Sequence, residues 1–367
     1  MLSEQTSIMA PRENRPGLLR LFQRVLAFGR RTFPISYYWL ASVYQPIKCF
    51  FFLRKYPKIV TGGPKIVLLR GEDGPDKLWA YGDPYAAYLA LRRVFDVELL
   101  IYTSFREKDV EKVVKKAPAL LCLGDDSGRF QALFERHHVP LVGSGSATCQ
   151  RCYDKLTTKQ IASQHGICTA PWHVLSKGQS ADALLKRLKL PLVVKPRHGG
   201  SSVGVSRAYS TADLGRALRK AFRHDKQALV EEYIAGEEYT CTVYGNDSPE
   251  TLPVYRRIMR FERQEMAARG EKLIKTRYPV ASGEPFLEEI SSLSKRLYTT
   301  LRCNDMIRVD WKYDVKKGRL YFLEVNILPW LENPGFIGEG AGLMGSSYED
   351  FIVSLFRESL NRKRCAG

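Results

Sequence analysis

A ribbon of two predicted strands near the C-terminus carries acidic side chains at a spacing that suits metal chemistry. If the ribbon folds back symmetrically about Lys317, Asp310 faces Glu324 and Arg308 faces Asn326. Side chains alternate across a strand, so these four point to one side, and opposed Cβ atoms lie roughly 4.5–5.5 Å apart. At so short a distance, two carboxylates repel each other unless a proton or a cation lies between them. The oxygens of Asp, Glu and Asn are ligands that suit Mg²⁺. The pattern predicts a Mg²⁺ site. The alternative is a solvent-facing polar stripe, because a one-residue slip in register flips the face.

A glycine- and serine-rich turn at residues 198–204 has the composition of a phosphate-binding loop. It joins two predicted strands, and the Walker sequence GxxxxGK[ST] is absent from the chain. Its glycines permit close backbone approach, and its amides with the hydroxyls of Ser201 and Ser202 can cradle phosphate oxygens. Lys195 and Lys155 would add positive charge. Each piece alone also fits a polar hairpin turn, but together with the carboxylate pair they predict a nucleoside triphosphate site.

Alternating strands and helices position these residues. Residues 64–148 favour a parallel sheet with helices on its faces. In this part, strands are predicted at 65–69, 97–102, 119–123 and 139–142, and helices at 85–94 and 110–116. Farther along, strands are predicted at 172–175, 190–195, 204–207, 228–233 and 239–244, and helices at 154–165, 211–222 and 347–360.

Length and charge narrow the class of protein. A chain of 367 residues exceeds the usual size of a single core. The net charge is +18, and the first sixty residues hold ten Lys and Arg against two acids. Anionic partners are therefore expected, with nucleic acid ranked last because its sequence motifs are missing. The eight cysteines contain the CxxC of Cys149 and Cys152 but no second pair at zinc spacing. This usage favours reduced thiols in a cytosolic protein.

Residues 18–31 predict a basic amphipathic helix. Apolar residues follow helical spacing on one face and arginines lie largely off it, a pattern compatible with an anionic membrane surface. The alternative is an extension that packs on the body of the protein or on a partner subunit. Liposome flotation with and without residues 1–60 separates the two. Residues 32–47 are too short and too interrupted by proline for a spanning helix.

The ordered set of motifs resembles the D-alanine–D-alanine ligases and similar ATP-grasp enzymes. The resemblance covers about residues 139–358, and each motif is weak alone but specific in this order. The motifs are Tyr153-Asp154-Lys155, Val193-Val194-Lys195-Pro196, Gly200-Ser201-Ser202-Val203-Gly204, Glu231-Glu232-Tyr233-Ile234, Gly236-Glu237-Glu238, Arg308-Val309-Asp310 and Leu323-Glu324-Val325-Asn326.

The resemblance implies an α/β fold, α+β in its ATP-grasp part, with a small parallel-sheet domain ahead of a two-subdomain ATP-grasp fold. The expected domains are a basic, aromatic-rich extension (1–63), a pre-ATP-grasp domain (64–148), a central subdomain (149–245) and a C-terminal subdomain with the metal site (246–367).

The resemblance also implies site roles. Arg308, Lys195 and Ser202 would be catalytic, and Asp310, Glu324 and Asn326 would hold two Mg²⁺ ions, with Mn²⁺ as an alternative. ATP would be bound by Lys155, Lys195, Ser201, Ser202, Glu231, Glu232, Tyr233, Ile234 and Glu238, where Glu238 would contact ribose.

The departures from this family concern the substrates. Residues 69–75 lack the family's AExxVS element, and residues 123–128 lack its HGxxGEDG stretch. The NTxPG tail is replaced at residues 326–330, and the serine that binds the second substrate corresponds to Gly335. We therefore expect a product other than D-alanyl-D-alanine.

The expected function is an ATP-dependent carboxylate–amine ligase that forms an acyl phosphate and releases ADP and phosphate. Its partners would be a small carboxylate and a small amine, and similarity alone suggests a homodimer. We expect a cytoplasmic protein, peripheral at the inner membrane face if residues 18–31 bind lipid. The basic segment 256–277 would recognise an acidic substrate or the γ-phosphate, or would be a solvated loop. The alternative function is a catalytically inactive ATP-binding regulator at the membrane surface.

Overall fold

The protein is described from a computed structural model. The structure describes residues 65–71, 84–102, 108, 111–112, 120–123, 126–200, 202–260, 274–280, 284–331, 333 and 335–365. These residues belong to one compact unit, Lys58–Gly367. The predicted amphipathic helix at 18–31, most of the predicted helix at 110–116, Ser201 and much of the basic segment lie outside the described residues.

A parallel sheet opens the described part, as the alternating pattern predicted. Its strands run in the order β2-β1-β3, and both pairings are parallel. The elements are β1 (Lys65–Gly71), α1 (Pro84–Leu91), β2 (Asp96–Tyr102), β3 (Leu120–Leu123) and α2 (Arg129–Arg136).

Of the further strand predicted at residues 139–142, the structure has only an isolated β-bridge at Leu141. This segment is held as a connecting stretch, because the Ser359 hydroxyl donates to the Leu141 carbonyl at 3.3 Å and the Gly143 N–H donates to Asp305 Oδ2 at 2.5 Å. Pro140 also lacks the N–H that a strand ladder requires.

A four-stranded antiparallel sheet follows, in the order β4-β7-β5-β6. Helix α6 packs its apolar side on it, and the Ser210 side chain caps that helix by accepting from the Asp213 N–H. The elements are α3 (Ser146–Tyr153), α4 (Lys155–Gln164), β4 (Trp172–Ser176), α5 (Asp182–Leu185), β5 (Leu192–Pro196), β6 (Ser206–Ala208), α6 (Thr211–Ala221) and β7 (Gln227–Glu232).

The third sheet has six strands, with the path β11-β10-β8-β12-β13 and β9 paired to β8. Its elements are β8 (Glu237–Tyr244), β9 (Glu250–Thr251), β10 (Tyr255–Arg260), β11 (Ile274–Pro279), α7 (Pro285–Thr300), β12 (Met306–Asp314), β13 (Arg319–Asn326), α8 (Phe336–Leu343) and α9 (Tyr348–Cys365). The predicted elements between 154 and 360 are thus confirmed, with ends that differ by a few residues.

Alternation along the central strands of this sheet separates an apolar face from a polar one. Trp311, Val309 and Cys241 point to the apolar face, where they are fully buried against helix α7. The Trp311 indole also donates to the Ser294 hydroxyl of that helix at 2.9 Å. Because these residues fix one face of the sheet, the residues that alternate with them along each strand must present their side chains on the other face. None of the helices in the described part of the chain has the length and apolar character needed to cross a membrane.

Candidate active site

Cross-strand register builds the polar face. Thr240, Asp310 and Glu324 form one row across β8, β12 and β13, and Arg308 pairs with Asn326 beside it. A second row, one pleat along, consists of Arg257, Glu238 and Lys312. The predicted pairings of Asp310 with Glu324 and of Arg308 with Asn326 are therefore confirmed.

The symmetry assumed for the hairpin fails beyond this point. A β-bulge follows Asp310, so Trp311 pairs with Phe322, and Leu323 is the extra residue. Both Leu323 and Glu324 consequently line the same cleft. Bulges commonly re-aim a side chain in this way next to a functional site, and here an apolar residue is placed beside a carboxylate.

Asp310 is buried among donors. Its Oδ1 accepts from the Thr240 hydroxyl at 2.6 Å and from Arg308 Nε at 3.2 Å. Its Oδ2 accepts from Arg257 Nη1 at 2.8 Å and Asn326 Nδ2 at 3.2 Å. Burial alone would raise the pKa of Asp310, but the charges of Arg308 and Arg257 with the Thr240 hydrogen bond outweigh it and lower the pKa to about 2. Asp310 is therefore a carboxylate at neutral pH.

The chemistry of the oxygens fits a divalent cation. Glu324 forms no hydrogen bond or ion pair with any residue that the structure describes, so its carboxylate is open to the cleft. Asn326 donates through its amide nitrogen, which leaves the amide oxygen as an acceptor. No group of three or more His, Cys, Asp or Glu suited to a metal occurs within the described ranges. Two carboxylates and one amide are nevertheless a donor set that Mg²⁺ accepts when phosphate oxygens and water complete it.

A buried ionic cluster lies on the four-stranded sheet. Lys195 Nζ is 2.6 Å from Glu231 Oε2, and Lys159 pairs with the other carboxylate oxygen while also donating to the Thr169 hydroxyl. Burial would raise the pKa of Glu231, but the ammonium groups of Lys159 and Lys195 lower it to about 2. The cluster carries a net positive charge and presents Lys195 to the cleft.

The glycine-rich turn joins antiparallel β5 and β6, as predicted. The Lys155 ammonium donates a hydrogen bond to the Gly199 carbonyl, and this contact ties the turn to the start of α4. Ser202 adopts a positive φ of 60° and lines the cleft. Gly204 has a φ of 75°, and a Cβ there would lie 2.6 Å from Pro196 Cγ, so only glycine fits. This constraint also explains why β6 begins at Ser206, later than predicted.

Asp154 anchors the turn from the other side. It caps α4 by accepting from the Leu156 N–H at 3.0 Å, and it pairs with Arg197 at 2.5 Å. Burial would raise the pKa of Asp154, but hydrogen bonds from Arg197 and Thr157 lower it from 3.8 to about 2. We expect Asp154→Asn to lower the free energy of unfolding by about 2 kcal/mol at pH 7, since a pKa shift of one unit corresponds to about 1.4 kcal/mol.

The sign of this effect fixes its pH dependence. A lowered carboxyl pKa contributes stability that is complete above the ordinary value of 3.8 and is lost as pH falls toward about 2. In urea unfolding, the free energy of unfolding of Asp154→Asn should therefore fall below that of the wild type by the full amount at pH 7 and by a smaller amount at pH 3. The exposed Asp247→Asn serves as the control. A difference that does not change with pH would contradict the ionic account.

The far end of the cleft is aromatic and charged. The Arg207 guanidinium lies 4.5 Å from the Tyr233 ring centroid, and Lys312 Nζ lies 5.6 Å from it. Lys312 also pairs with Glu238 at 3.3 Å. The Glu232 carboxylate accepts from the backbone N–H of Lys189 at 2.9 Å. A flat ring with cations beside it suits a nucleobase and its ribose.

One cleft of about 940 Å³, measured with its open mouth, brings most predicted site residues together. Those lining it are Lys155, Lys195, Ser202, Glu231, Glu232, Tyr233, Ile234, Glu238, Asp310 and Glu324. Arg308 and Asn326 contact Asp310 from the same sheet face but do not line this cleft. Ser201 lies outside the described residues.

Three residues of the site, Lys159, Arg207 and Lys312, escaped the sequence reasoning. Lys159 follows Lys155 by four positions, the spacing that puts two side chains on one helix face. Lys312 follows Asp310 by two positions, the spacing of one strand face. Arg207 had no such signal, because the fold brings it in from another strand. Arg257 belongs to the basic segment for which contact with a substrate or the γ-phosphate was one prediction, but its pairing with Asp310 was not predicted.

Comparison with known proteins agrees with this geometry. The family model described as D-ala D-ala ligase C-terminus matches residues 161–357. The D-alanine–D-alanine ligase of Carboxydothermus hydrogenoformans is 31% identical over 252 residues, or 66% of this chain and 79% of that relative. The solved D-alanine–D-alanine ligase of Bacillus anthracis superimposes with a TM-score of 0.67 at 25% identity, and its complex with ATP with 0.66 at 24%. Each of these two superpositions covers 83% of this chain and 100% of the Bacillus anthracis chain.

Two antiparallel sheets that line one cleft, after a small parallel sheet, are the architecture of the ATP-grasp ligases, which confirms the expected fold class. The chain is an ADP-forming ligase of this class, acting between an acid and an amino acid. It belongs to the D-alanine–D-alanine ligase family, as the motifs predicted.

Proposed function

We propose that the protein activates a small carboxylate with ATP as an acyl phosphate, joins it to a small amine, and releases ADP and phosphate. The single observation that carries the proposal is the placement of the open Glu324 carboxylate and Asp310 in one cleft with Lys155 and Lys195. Lysines and metal-binding oxygens facing one space are what transfer of a phosphoryl group requires.

The nucleotide roles follow from position in the cleft. Lys155 and Lys195 would contact the phosphates, and the turn with Ser202 (and Ser201) would close over them. The segment from Glu231 to Ile234 would hold adenine beside the Tyr233 ring, and Glu238 would contact ribose. The ATP complex of the Bacillus anthracis ligase supports ATP as the nucleotide.

The metal-binding roles fall to Asp310, Glu324 and Asn326, which the resemblance assigns to two Mg²⁺ ions, with Mn²⁺ as an alternative. A bound divalent ion would offset charge on the transferring phosphoryl group. Arg308 would stabilise the charge that develops as the acyl phosphate forms and is attacked. Closure of the serine turn would exclude water, which otherwise hydrolyses such an intermediate.

The substrates would differ from two D-alanines. Gly335, which corresponds to the family's serine for the second substrate, offers no side chain ahead of α8. The next residue, Phe336, places its ring 5.6 Å from the Arg308 guanidinium and edge-on to Tyr255 at 5.3 Å. An aromatic ring beside Arg308, the proposed catalytic arginine, favours an acceptor with apolar surface near the reacting amine.

The proposal retains the cytoplasmic location, the membrane contact of residues 18–31, the homodimer and the domain boundaries at 63, 148 and 245 as predictions. A catalytically inactive ATP-binding regulator remains the second candidate. The observation that favours it is Asp310, whose oxygens are already paired with the protein's own cations.

Turnover separates the two candidates. We expect ADP release that depends on an added acid and amine, and we expect hydroxylamine to trap the activated acid as a hydroxamate. A coupled ADP assay over a panel of small carboxylates and amines, with the D-alanine pair included, measures this. Nucleotide binding without ADP release or hydroxamate across the panel would favour the regulator.

A further inference from the structure

The Arg257 side chain, on β10, contacts Asp310 on β12, although these two strands are not adjacent in the sheet. The sheet order places β8 between β10 and β12, and Arg257 pairs in register with Glu238 of β8. Its guanidinium nevertheless extends past β8 and lies 2.8 Å from Asp310 Oδ2. The Arg257 side chain is only 16% exposed and that of Asp310 3%, so this contact is a buried ion pair on the cleft wall.

The two facing carboxylates are therefore unequal. Asp310 accepts hydrogen bonds on both oxygens, with Thr240 and Arg308 on Oδ1, and Arg257 and Asn326 on Oδ2. A carboxylate has about four acceptor positions, and these donors use them. Glu324, directly opposite, carries no hydrogen bond or ion pair from the residues that the structure describes.

The surrounding charges leave Arg257 no better partner. Asp310 is the largest influence that raises the pKa of Arg257, ahead of Glu238 and Glu324. Glu238 is already paired with Lys312 at 3.3 Å. Moving a metal ion onto Asp310 would require Arg257 to leave its partner, and two cations, the divalent ion and the guanidinium, would then share one wall of the cleft.

We propose that Arg257 takes the place of one divalent cation, so that the cleft binds a nucleoside triphosphate with a single metal ion held by Glu324 and Asn326. The inference rests on the proposed function and revises the number of ions in it from two to one. Arg257 stays on Asp310 when nucleotide binds and turns its remaining N–H groups toward the phosphates, because a guanidinium has five donors. A planar fork of this kind matches phosphate oxygens well.

Counting bound ions tests the proposal without turnover. The full chain is saturated with a non-hydrolysable ATP analogue and titrated with Mn²⁺, and electron paramagnetic resonance measures the free ion. We expect one Mn²⁺ per chain for the wild type and two for Arg257→Met, in which Asp310 is opened. Arg257→Lys keeps a cation and should stay at one.

Arg256 provides the matched control. It is the adjacent residue on β10, but it points to the other face, where it is 41% exposed and pairs with Glu237 at 3.1 Å. Arg256→Met should bind one ion, as the wild type does. Circular dichroism checks that each variant is folded. If Arg257→Met does not fold, Arg257→Gln takes its place, because it also removes the cation but keeps a polar side chain, and it should bind two ions.

Two ions in the wild type, or one in a folded Arg257→Met, overturn the inference. These outcomes differ from failure of the proposed function, in which the analogue itself would not bind.

Discussion

Replacing Arg308 by lysine should lower kcat by about 10³-fold, the order of magnitude lost when a donor to developing charge is removed. The substitution keeps the positive charge but loses the fork that holds two positions at once. In the structure this fork contacts Asp310 through Nε at 3.2 Å and Nη2 at 3.5 Å, while its plane lies over Phe336. A lysine ammonium cannot satisfy Asp310 and face the reacting carboxylate together.

The loss should appear in turnover and not in nucleotide binding. Arg308 does not line the nucleotide cleft. The affinity for a non-hydrolysable ATP analogue, measured by calorimetry, should therefore stay within about threefold, which is about half of the ~1.4 kcal/mol that a tenfold change represents. Asp310 keeps Arg257 and Thr240, so the fold should be retained. Arg319→Met, at the exposed start of β13, is the control. Equal losses in affinity and in kcat would show that Arg308 acts on binding.

The sequence was a good guide wherever local rules decide the outcome. The pairing of Asp310 with Glu324 followed from strand alternation and a turn, and the helix predicted at 154–165 is observed at Lys155–Gln164. The bulge at Leu323 could not be foreseen, because it depends on how Trp311 and Phe322 pack in the core. Such packing is a property of the whole sheet and leaves no mark in the spacing of one strand.

Ion pairs between residues far apart in the sequence could not be predicted either. The basic residues from 256 to 277 looked alike in sequence, and only the fold distinguishes Arg257 on Asp310 from Arg256 on Glu237. Likewise, nothing local pairs Lys159 with Glu231, which lies on a different element more than seventy residues away. The motif residues could therefore be predicted, but not the partners that set their charge.

The second large effect concerns Lys195. It shares Glu231 with Lys159, so replacing either lysine by methionine leaves a neutral buried pair. Lys195→Met should lower nucleotide affinity by about 10²-fold, in line with ~1.5–3 kcal/mol for hydrogen bonds to a charged group. Lys195 lines the cleft, whereas Lys159 is not among the residues that line it.

Lys159→Met is therefore the matched comparison, because the same atoms are removed from the other oxygen of the same carboxylate. We expect it to reduce the free energy of unfolding by about 3 kcal/mol, the lower end for breaking a buried ion pair, while nucleotide affinity changes by less than about fivefold. Calorimetry with the ATP analogue and urea unfolding measure the two quantities separately. The exposed Lys189→Met should change neither. Equal loss of affinity in Lys159→Met and Lys195→Met would mean that the lysines act through Glu231 and that Lys195 does not contact the phosphates.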